Sequence, residues 1–577
     1  MSILDRRPET TTGPDSTSFS ERTAWRMQLF ANWLERVLEA FASSPRLVIG
    51  VFTLLYLVPT LYIAAHKLFW DDEFFTLYLS LTPSLHELLR ALATGADQHP
   101  PVFYLVTHAA TALLGTSPIS VRLPAIIGFW LGSVSLYAIA RKFLAPVWGL
   151  VAILLPVTSG AYYYASEARG YGIMLGFSCL AMFAWVNASH EHRRRLYIPV
   201  LAASVAFAIC GHYYAVLTCA ALACGEMVRT IVRRKVDVPI WSAFCLSGVP
   251  LIVFFPIVHS AHGYSEHFWA LPVWSDLLNY YPDLLGHSLD AIIGALGISV
   301  LLRATLEGNS RDEWKEPPLS PWVAVAFVVI AALPLPTMIL AKFATHGYTP
   351  RYALVAIAGV SLLFCFGLAR LSRRPTLVAA ATIACCLFLF FMNARDLVLR
   401  NRSTLEDVQT DITRLDRTGK GPIAIPEITV FHRLSFYAPS KLAHRITYPA
   451  DPELAVDYIK EDTVDRGLLD LRPWFPIDVE PLESYVLAHP SFLVYSYVGP
   501  WSWLSYELPR LTSHIRLIGR KEDRLLMAVD GANPARDSRI TPAKPAEGVP
   551  LFLKFRNNKR SLCEEYMGAS NCPVIHE

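Results

Sequence analysis

Three consecutive carboxylates, Asp71, Asp72 and Glu73, follow the first long apolar run of the chain. Ionisable side chains are rare where a helix leaves the bilayer, and there they usually mark functional sites. A carboxylate at that depth can take a proton from a hydroxyl group presented at the membrane surface. The same residues also suit the first turn of a helix, because acidic side chains stabilise helix N-termini. The acidic turn therefore indicates either proton chemistry or a helix cap.

Four basic residues are predicted to lie on the same side of the membrane as the acidic turn: Arg122, Arg169, Lys342 and Arg351. Basic residues are sparse on the outer side of membrane proteins. Any one of them could simply extend its charged end to the membrane interface. Four together, opposite an acidic loop, fit better with phosphate binding. An arginine fork matches phosphate oxygens, and a lysine adds a point charge.

Aromatic, histidine and acidic residues share the same predicted external loops. Six of them are candidate substrate-binding residues: His99, Glu167, Tyr171, Tyr213, His267 and Tyr352. Tyrosine rings can stack on sugar faces or lie at the membrane interface. No HExxH zinc motif occurs in the chain, and we predict neither a metal site nor a cofactor. A divalent cation bound weakly by Asp71, Asp72 and Glu167 stays open.

The composition places these residues in a membrane protein. Of 577 residues, 53% are hydrophobic and 17% are charged, and the mean hydropathy is +0.36. A soluble domain carries roughly 25% charged residues. Apolar runs close to the length of about 20 residues that one span needs recur along the chain. The net charge of +3 gives no indication of nucleic-acid binding.

Eleven transmembrane helices are predicted. Their ranges are 47–66, 119–140, 147–163, 171–188, 196–210, 212–231, 241–258, 288–303, 321–340, 351–369 and 375–393. With the amino terminus inside, every basic cluster between spans falls on the cytoplasmic side, as the positive-inside rule requires. This holds only if the short apolar run 102–115 is not a span. We therefore interpret 102–115 and 72–93 as juxtamembrane helices in a long first external loop.

The topology divides the chain into three segments. Residues 1–45 form a cytoplasmic segment whose helix over 21–42 either lies on the membrane surface or extends the first span. Residues 46–394 form the transmembrane domain. Residues 395–577 form a water-soluble α/β domain outside the membrane, where a Cys563–Cys572 disulfide could form. We predict a multi-pass protein of the cell membrane, with the α/β domain periplasmic or extracellular.

The α/β prediction depends on short alternating segments. Strands are predicted at 422–426, 446–448, 492–498 and 525–529, and helices at 402–417 and 452–460. Trp501 and Trp503 could contact carbohydrate, but both also fit as core residues. No catalytic motif appears in this segment.

Asp72-Glu73 after the first span resembles the acidic pair of GT-C fold glycosyltransferases, above all the superfamily of protein O-mannosyltransferases and lipid A aminoarabinose transferases. Further motifs are similar in their order and predicted membrane side. They are His99-Pro100-Pro101 with Tyr104, Arg122-Leu123-Pro124 with Gly128, Ser166-Glu167-Ala168-Arg169-Gly170-Tyr171, and Arg351-Tyr352. The resemblance covers roughly residues 45–395. The aminoarabinose transferases have lysine-proline where His99-Pro100 stands, which argues against identical lipid A chemistry.

The resemblance implies a polytopic α-helical membrane protein of the GT-C fold with a C-terminal extracytoplasmic α/β domain. It implies that a sugar is transferred with inversion from a polyprenyl-phosphate donor to a hydroxyl group of a lipid, glycan or protein acceptor. It also implies that membrane lipids surround the protein. Asp72 would be the general base, assisted by Glu73, with Asp71 as the alternative. Arg169, Arg122, Lys342 and Arg351 would hold the lipid phosphate.

Two other functions stay open. A ligase or polymerase of polyprenyl-diphosphate-linked glycans would share the fold but take a different donor. A transporter would have internal repeats and place its charges near the midplane of the membrane. Here the charges lie at one face, which favours the transferase.

Overall fold

A computed structural model describes residues 19–190, 193–305, 319–372, 375–497, 502–521 and 524–534. The first part of the chain is helical. Its helices are α1 (Phe19–Ala42), α2 (Pro45–His66), α3 (Asp71–Ser80), α4 (Leu85–Leu92), α5 (Pro101–Leu114), α6 (Pro118–Phe143), α7 (Pro146–Thr158), α8 (Tyr171–Ser189), α9 (Arg194–Gly211), α10 (Val216–Arg233), α11 (Val238–Ser247), α12 (Val249–Val253), α13 (Phe255–Ala261), α14 (Asp276–Leu285), α15 (His287–Thr305), α16 (Pro321–Ala331), α17 (Pro334–Leu340), α18 (Ala356–Leu371) and α19 (Pro375–Asp416).

Each of the eleven predicted spans coincides with a helix or a bent pair of helices in this domain. Six helices within the described ranges are long and apolar enough to cross a membrane, or nine spans if each bent pair counts as one. The other two predicted spans correspond to α15 and to the shorter apolar helix α18. The polytopic helical fold is therefore confirmed, with more broken spans than the sequence predicts.

The three bent pairs turn by 73° after α7, 57° between α12 and α13, and 59° between α16 and α17. Prolines stand at the breaks: Pro156, Pro256 and Pro334. A proline removes one helical hydrogen bond and its ring clashes with the preceding turn, so a bend at these positions is expected. Hydropathy alone does not report such a change of direction.

The first predicted external loop contains short helices. The run 102–115 forms α5, 14 residues long, which is shorter than a span needs. The predicted helix over 72–93 is divided into α3 and α4 by the segment 81–84, which contains Pro83. The helix predicted over 21–42 is α1, whose residues Trp33 and Val37 are exposed.

Close backbone contact fixes α6 against α8. An added Cβ at Gly128 would lie 2.5 Å from the carbonyl carbon and oxygen of Gly172, and one at Gly176 would lie 2.2 Å from the carbonyl oxygen of Gly128. Small residues at such crossings let two helix backbones approach closely. The segment that carries the predicted motifs from Arg122 to Tyr171 is therefore held by backbone-to-backbone packing.

The α/β domain follows α19, a helix of 42 residues that passes the predicted domain boundary at 394/395 without a break. Its elements are β1 (Ile423–Ala424), α20 (Ile428–Tyr437), α21 (Ser440–Ala443), β2 (Ile446–Ala450), α22 (Pro452–Ile459), α23 (Thr463–Leu471), β3 (Val479–Pro481), α24 (Leu482–Ala488), β4 (Phe492–Tyr497), α25 (Trp503–Leu511), β5 (His514–Lys521) and β6 (Arg524–Asp530). The α/β class is confirmed, and the predicted strands correspond to β1, β2, β4 and β6. Cys563 and Cys572 lie outside the described residues.

The sheet has the strand order β3-β2-β1-β4-β6-β5. β1 pairs in parallel with both β2 and β4, whereas β6 is antiparallel to β4 and β5. The chain leaves β1 toward β2 and β3 on one side and returns to β4 on the other. In such sheets the carboxyl edge between the two central strands is the usual place for a ligand.

An apolar cluster joins the two domains. The ring of Phe74 in α3 lies 5.0 Å from that of His432 and 5.5 Å from that of Phe436, both in α20. Tyr78 packs on Phe475 at 5.0 Å between ring centres. Since aromatic rings bury large apolar areas, the α/β domain is packed against the helices that follow the acidic turn.

The Gly128 contact predicts that even one methyl group is not tolerated there. Gly128→Ala should lower the free energy of unfolding by about 1–3 kcal/mol, because overpacking displaces backbone atoms. The measurement is thermal unfolding of the purified protein in detergent. Gly50→Ala, in α2 with nothing within 4 Å of an added Cβ, is the matched control and should leave the unfolding temperature unchanged or slightly raised. Equal effects of the two changes would contradict the packing argument.

Candidate active site

A cavity of about 510 Å³ lies between the helical domain and the α/β domain. The helical domain contributes Asp71, Asp72, Arg169 and Arg351 to its wall, together with several histidines and aromatic residues. The α/β domain contributes residues that follow β1 and α22, and Trp503 of α25. The acidic turn of the sequence therefore lies at a cavity whose opposite wall comes from the other domain.

Glu73 and Arg122 form a buried ion pair beside the cavity. Neither side chain is exposed, and the two Arg122–Glu73 contacts are 2.8 and 2.7 Å. Glu73 also accepts from the backbone N–H of Ala168 at 2.7 Å, and Arg122 donates to the carbonyls of Ala64 and Lys67. Burial alone would raise the pKa of Glu73, but Arg122 and Lys67 hold it below its ordinary value. The pair thus ties together the end of α2, the start of α3, α6 and the loop before α8.

Asp72 lies between two arginines at the cavity wall. Its Oδ2 is 2.9 Å from a terminal nitrogen of Arg351 and 3.8 Å from Nε of Arg169. The Asp72 side chain is 27% exposed, whereas those of Arg351 and Arg169 are 11% and 8% exposed. The Arg351 guanidinium also lies 5.4–5.9 Å from the ring centres of three aromatic residues: Trp70, Tyr171 and Trp269. This cage fixes the cation that neutralises Asp72.

Asp97 and His99 hold the other arginine. The Asp97 oxygens accept from Arg169 at 3.0 and 3.3 Å, and Nδ1 of His99 lies 2.9 Å from the same guanidinium. Burial and the Arg169 charge lower the pKa of His99 to about 4, so the ring is neutral at pH 7. Burial would raise the pKa of Asp97, but Arg169 and His99 keep it below its ordinary value. Arg169 is therefore a fixed cation with an ionised partner.

Asp71 turns toward the α/β domain. Its Oδ2 accepts from the Thr429 hydroxyl at 2.6 Å, and its Oδ1 lies 3.7 Å from Nδ1 of the buried His432. Burial and the neighbouring Asp71 carboxylate raise the pKa of Glu427 to about 7. The three consecutive carboxylates thus have three separate environments, because successive residues of a helix point about 100° apart.

The structure brings together eight of the thirteen predicted site residues at the cavity wall. They are Asp71, Asp72, His99, Arg169, Tyr171, Tyr213, Arg351 and Tyr352. The other five do not line it. Glu73 and Arg122 pair with each other, Glu167 is fully buried, Lys342 interacts with Asp276, and His267 contributes its backbone carbonyl to the contact with Asp462 and Thr463.

Glu167 is fully buried behind the cavity wall, among charged neighbours. Neither of its carboxyl oxygens has a hydrogen-bond partner, and burial raises the pKa of the group although Lys67 and Arg351 act against the increase. No group of three or more His, Cys, Asp or Glu side chains within the described ranges is arranged to hold a metal ion. In particular, Asp71, Asp72 and Glu167 do not converge on one point.

Several cavity residues are missing from the sequence-based prediction. Asp97 stands two residues before His99. This spacing could have indicated Asp97 as a site residue, because an aspartate and a histidine two residues apart can pair within one loop. The wall of the α/β domain, with Glu427, Glu461 and Asp465, had no such signal. Glu427 follows β1, Glu461 follows α22 and Asp465 lies in α23, so the fold of the whole domain brings Glu427 to the other two acids.

Residues 98–259 match the family described as Dolichyl-phosphate-mannose-protein mannosyltransferase. The resemblance is confirmed. The matched segment contains His99, Arg169, Tyr171 and Tyr213 of the cavity wall, as well as Arg122. The protein is thus similar to membrane glycosyltransferases over a segment that supplies part of the helical wall. No curated protein sequence matches the chain significantly.

Solved structures similar to this chain include two of ArnT and one of an oligosaccharyltransferase. ArnT from Cupriavidus metallidurans bound to undecaprenyl phosphate superposes with a TM-score of 0.48 at 13% identity, covering 83% of this chain and 97% of that one. Its apo state gives a TM-score of 0.49 with the same identity and coverage. The Archaeoglobus fulgidus oligosaccharyltransferase, in complex with Zn and sulfate, gives 0.43 at 9% identity, covering 78% and 68%. At such TM-scores these likenesses add no weight to the family match.

The buried pair predicts a strong dependence of stability on Arg122. Arg122→Met should lower the free energy of unfolding by about 3–5 kcal/mol, because it leaves Glu73 as an uncompensated buried charge. Thermal unfolding in detergent measures the change. The control is Arg90→Met, which removes an exposed Arg90–Glu87 pair, a contact worth about 0–1 kcal/mol. An Arg122 variant as stable as this control would contradict the assignment.

Proposed function

We propose that the protein transfers a sugar from a polyprenyl-phosphate donor to an acceptor hydroxyl with inversion, and that Asp72 is the general base. The observation that carries the proposal is the position of Asp72. Its carboxylate reaches the cavity 2.9 Å from Arg351 and 3.8 Å from Arg169. A base and two phosphate-binding cations in one cavity are what such a displacement needs.

The two arginines are suited to a lipid phosphate. Arg351 is paired with Asp72, and Arg169 is paired with Asp97 and more distantly with Asp72. The Nε atom of each arginine is buried and has no hydrogen-bond acceptor. An unsatisfied buried donor on a guanidinium favours an additional anionic acceptor. The family match agrees with a lipid-phosphate sugar donor, since its description names dolichyl phosphate mannose.

The reaction then proceeds as one displacement. Asp72 takes the proton of the acceptor hydroxyl as its oxygen forms the new bond to the anomeric carbon. The bond from that carbon to the phosphate oxygen breaks, and its electron pair leaves with the polyprenyl phosphate. Arg351 and Arg169 stabilise the charge on that leaving group. Neutral His99 and ionised Asp97 keep Arg169 in place.

In this mechanism the remaining predicted residues have supporting roles. Glu73 positions the acidic turn through Arg122 rather than reacting, and Asp71 borders the acceptor side. Tyr171 and Tyr352 border the phosphate side, with Tyr213 nearby on the wall. Lys342 and His267 shape the loops around the cavity. The cell membrane, with the α/β domain outside it, is the proposed location.

Asp72→Asn should abolish transfer and leave donor retention unchanged or increased. The amide cannot accept the proton, and its neutral charge removes one competitor for Arg351. Native mass spectrometry with polyprenyl-phosphate and polyprenyl-diphosphate sugars measures retention. Release of polyprenyl phosphate in the presence of native membranes measures transfer. Transfer near the wild-type rate in Asp72→Asn would remove the general-base assignment.

Arg351→Gln should weaken retention of the monophosphate donor by about tenfold or more, because a charge-assisted contact in a buried site is lost. Arg90→Gln is the exposed control and should retain the donor as the wild type does. A preference of the wild type for the diphosphate donor would replace the transferase by a glycan ligase or polymerase. Retention of neither donor would contradict both enzymes and favour transport.

A further inference from the structure

The α/β domain lines its end of the cavity with three carboxylic acids, Glu427, Glu461 and Asp465. We call these residues the acidic wall. They come from the loop after β1, the loop between α22 and α23, and α23 itself. No Arg, Lys or His of the α/β domain lines the cavity among the described residues. The arginines and histidines of the cavity all belong to the helical domain, where Asp72 and Asp97 pair with both arginines.

Glu461 is the member of the wall that lacks a complete set of partners. It is 5% exposed, and its Oε2 has no hydrogen-bond partner. Asp465, by contrast, accepts from the backbone of Asp451 at 2.9 Å and from the Tyr448 hydroxyl at 3.2 Å. Glu427 accepts from two backbone N–H groups at the start of α20. A buried carboxylate oxygen without a donor is unfavourable unless a ligand supplies one.

The acidic wall also stands where the sheet favours a ligand. Glu427 follows the carboxyl end of β1, and Trp503, which lines the same end of the cavity, follows β4. β1 and β4 are the adjacent parallel strands from which the connections run to opposite sides. Ligands of parallel sheets bind at such a point. The topology and the unsatisfied oxygen are independent observations that indicate the same place.

The pKa values of the three acids in the acidic wall are consistent with surroundings that lack positive charge. Burial and the neighbouring Asp465 raise the pKa of Glu461 to about 8, and burial raises the pKa of Asp465 and of Glu427 to about 7. A neutral, hydroxyl-rich ligand would leave this repulsion in place. A cation beside the wall would relieve it and restore the ionised forms.

We propose that the acidic wall binds a positively charged amino group of the acceptor, with Glu461 as the residue that recognises it. This subsite extends the proposed function. Only the identification of its ligand as the acceptor rests on that function. The loop that carries Glu461 is fixed to the helical domain, since Trp269 donates its backbone N–H to Thr463 at 3.1 Å. Trp269 also belongs to the cage around Arg351. Through Trp269 the loop that carries Glu461 is linked to the Arg351 cage, so the amine and the donor phosphate would occupy neighbouring parts of one cavity.

The test uses the full-length protein in detergent at pH 8 and a matched pair of probes. Ethanolamine carries one ammonium group, and ethylene glycol replaces that group by a neutral hydroxyl. We expect ethanolamine to raise the unfolding temperature in a saturable manner and ethylene glycol to have no such effect at equal concentration. Glu461→Gln should weaken the ethanolamine response at least about tenfold, because the amide removes the charge but keeps the shape.

Glu453→Gln is the control, since Glu453 is exposed on the same α/β domain and does not line the cavity. It should respond to ethanolamine as the wild type does. Without a probe, Glu461→Gln should unfold at the wild-type temperature or above it, because it removes an unsatisfied buried acid. This separates a lost site from a lost fold.

The outcomes are decisive in both directions. Equal responses to the two probes would overturn recognition of charge, and an unchanged ethanolamine response in Glu461→Gln would overturn the role of Glu461. Donor retention distinguishes this proposal from the transferase. If Glu461→Gln loses the amine but retains polyprenyl phosphate, both proposals stand. If the wild type binds the amine but no lipid-linked donor, the amine site stands and the transferase falls.

Discussion

The architecture of the cavity depends on one buried ion pair. Glu73 and Arg122 join the segment from the end of α2 to the start of α3 with α6 and with the loop before α8, and each carboxylate oxygen of Glu73 is occupied by the contact. Because a buried charge needs its partner, the acidic turn has only one stable orientation. With Glu73 turned inward, Asp72 and Asp71 must point elsewhere, and they reach the cavity on its two sides. A structural contact thus decides which carboxylates are available for chemistry.

The sequence predicted the fold well and the site in part. The short run 102–115 is predicted to be a helix outside the spans because counting it as a span would place three basic clusters on the wrong side of the membrane. The structure forms the 14-residue helix α5 there. Hydropathy could not reveal the bends at Pro156, Pro256 and Pro334, since it measures composition and not direction. Domain boundaries and the side of the membrane on which the α/β domain lies remain predictions.

For the site, the sequence identified the types of residue but not their orientations. Glu73, Arg122 and Glu167 match the motifs of the glycosyltransferase resemblance, but their side chains are buried behind the cavity wall. Angular spacing along a helix could have separated Asp71, Asp72 and Glu73 in advance, whereas no local pattern distinguishes a paired arginine from a free one. Glu427 and the neighbouring pair Glu461 and Asp465 reach one cavity only through the fold of the whole α/β domain.

One helix, α19, links the apolar spans to the α/β domain. The 42 residues of α19 measure about 63 Å at 1.5 Å per residue, roughly twice the thickness of the hydrocarbon core. Its apolar half lies among the spans, and its far half packs against the sheet that carries the acidic wall, through residues such as Val408 and Leu415. Tilting such a rod by 1° displaces its tip by about 1 Å. A tilt of α19 would therefore move the α/β wall of the cavity relative to the spans, so the width of the cavity would depend on how this helix is held among them.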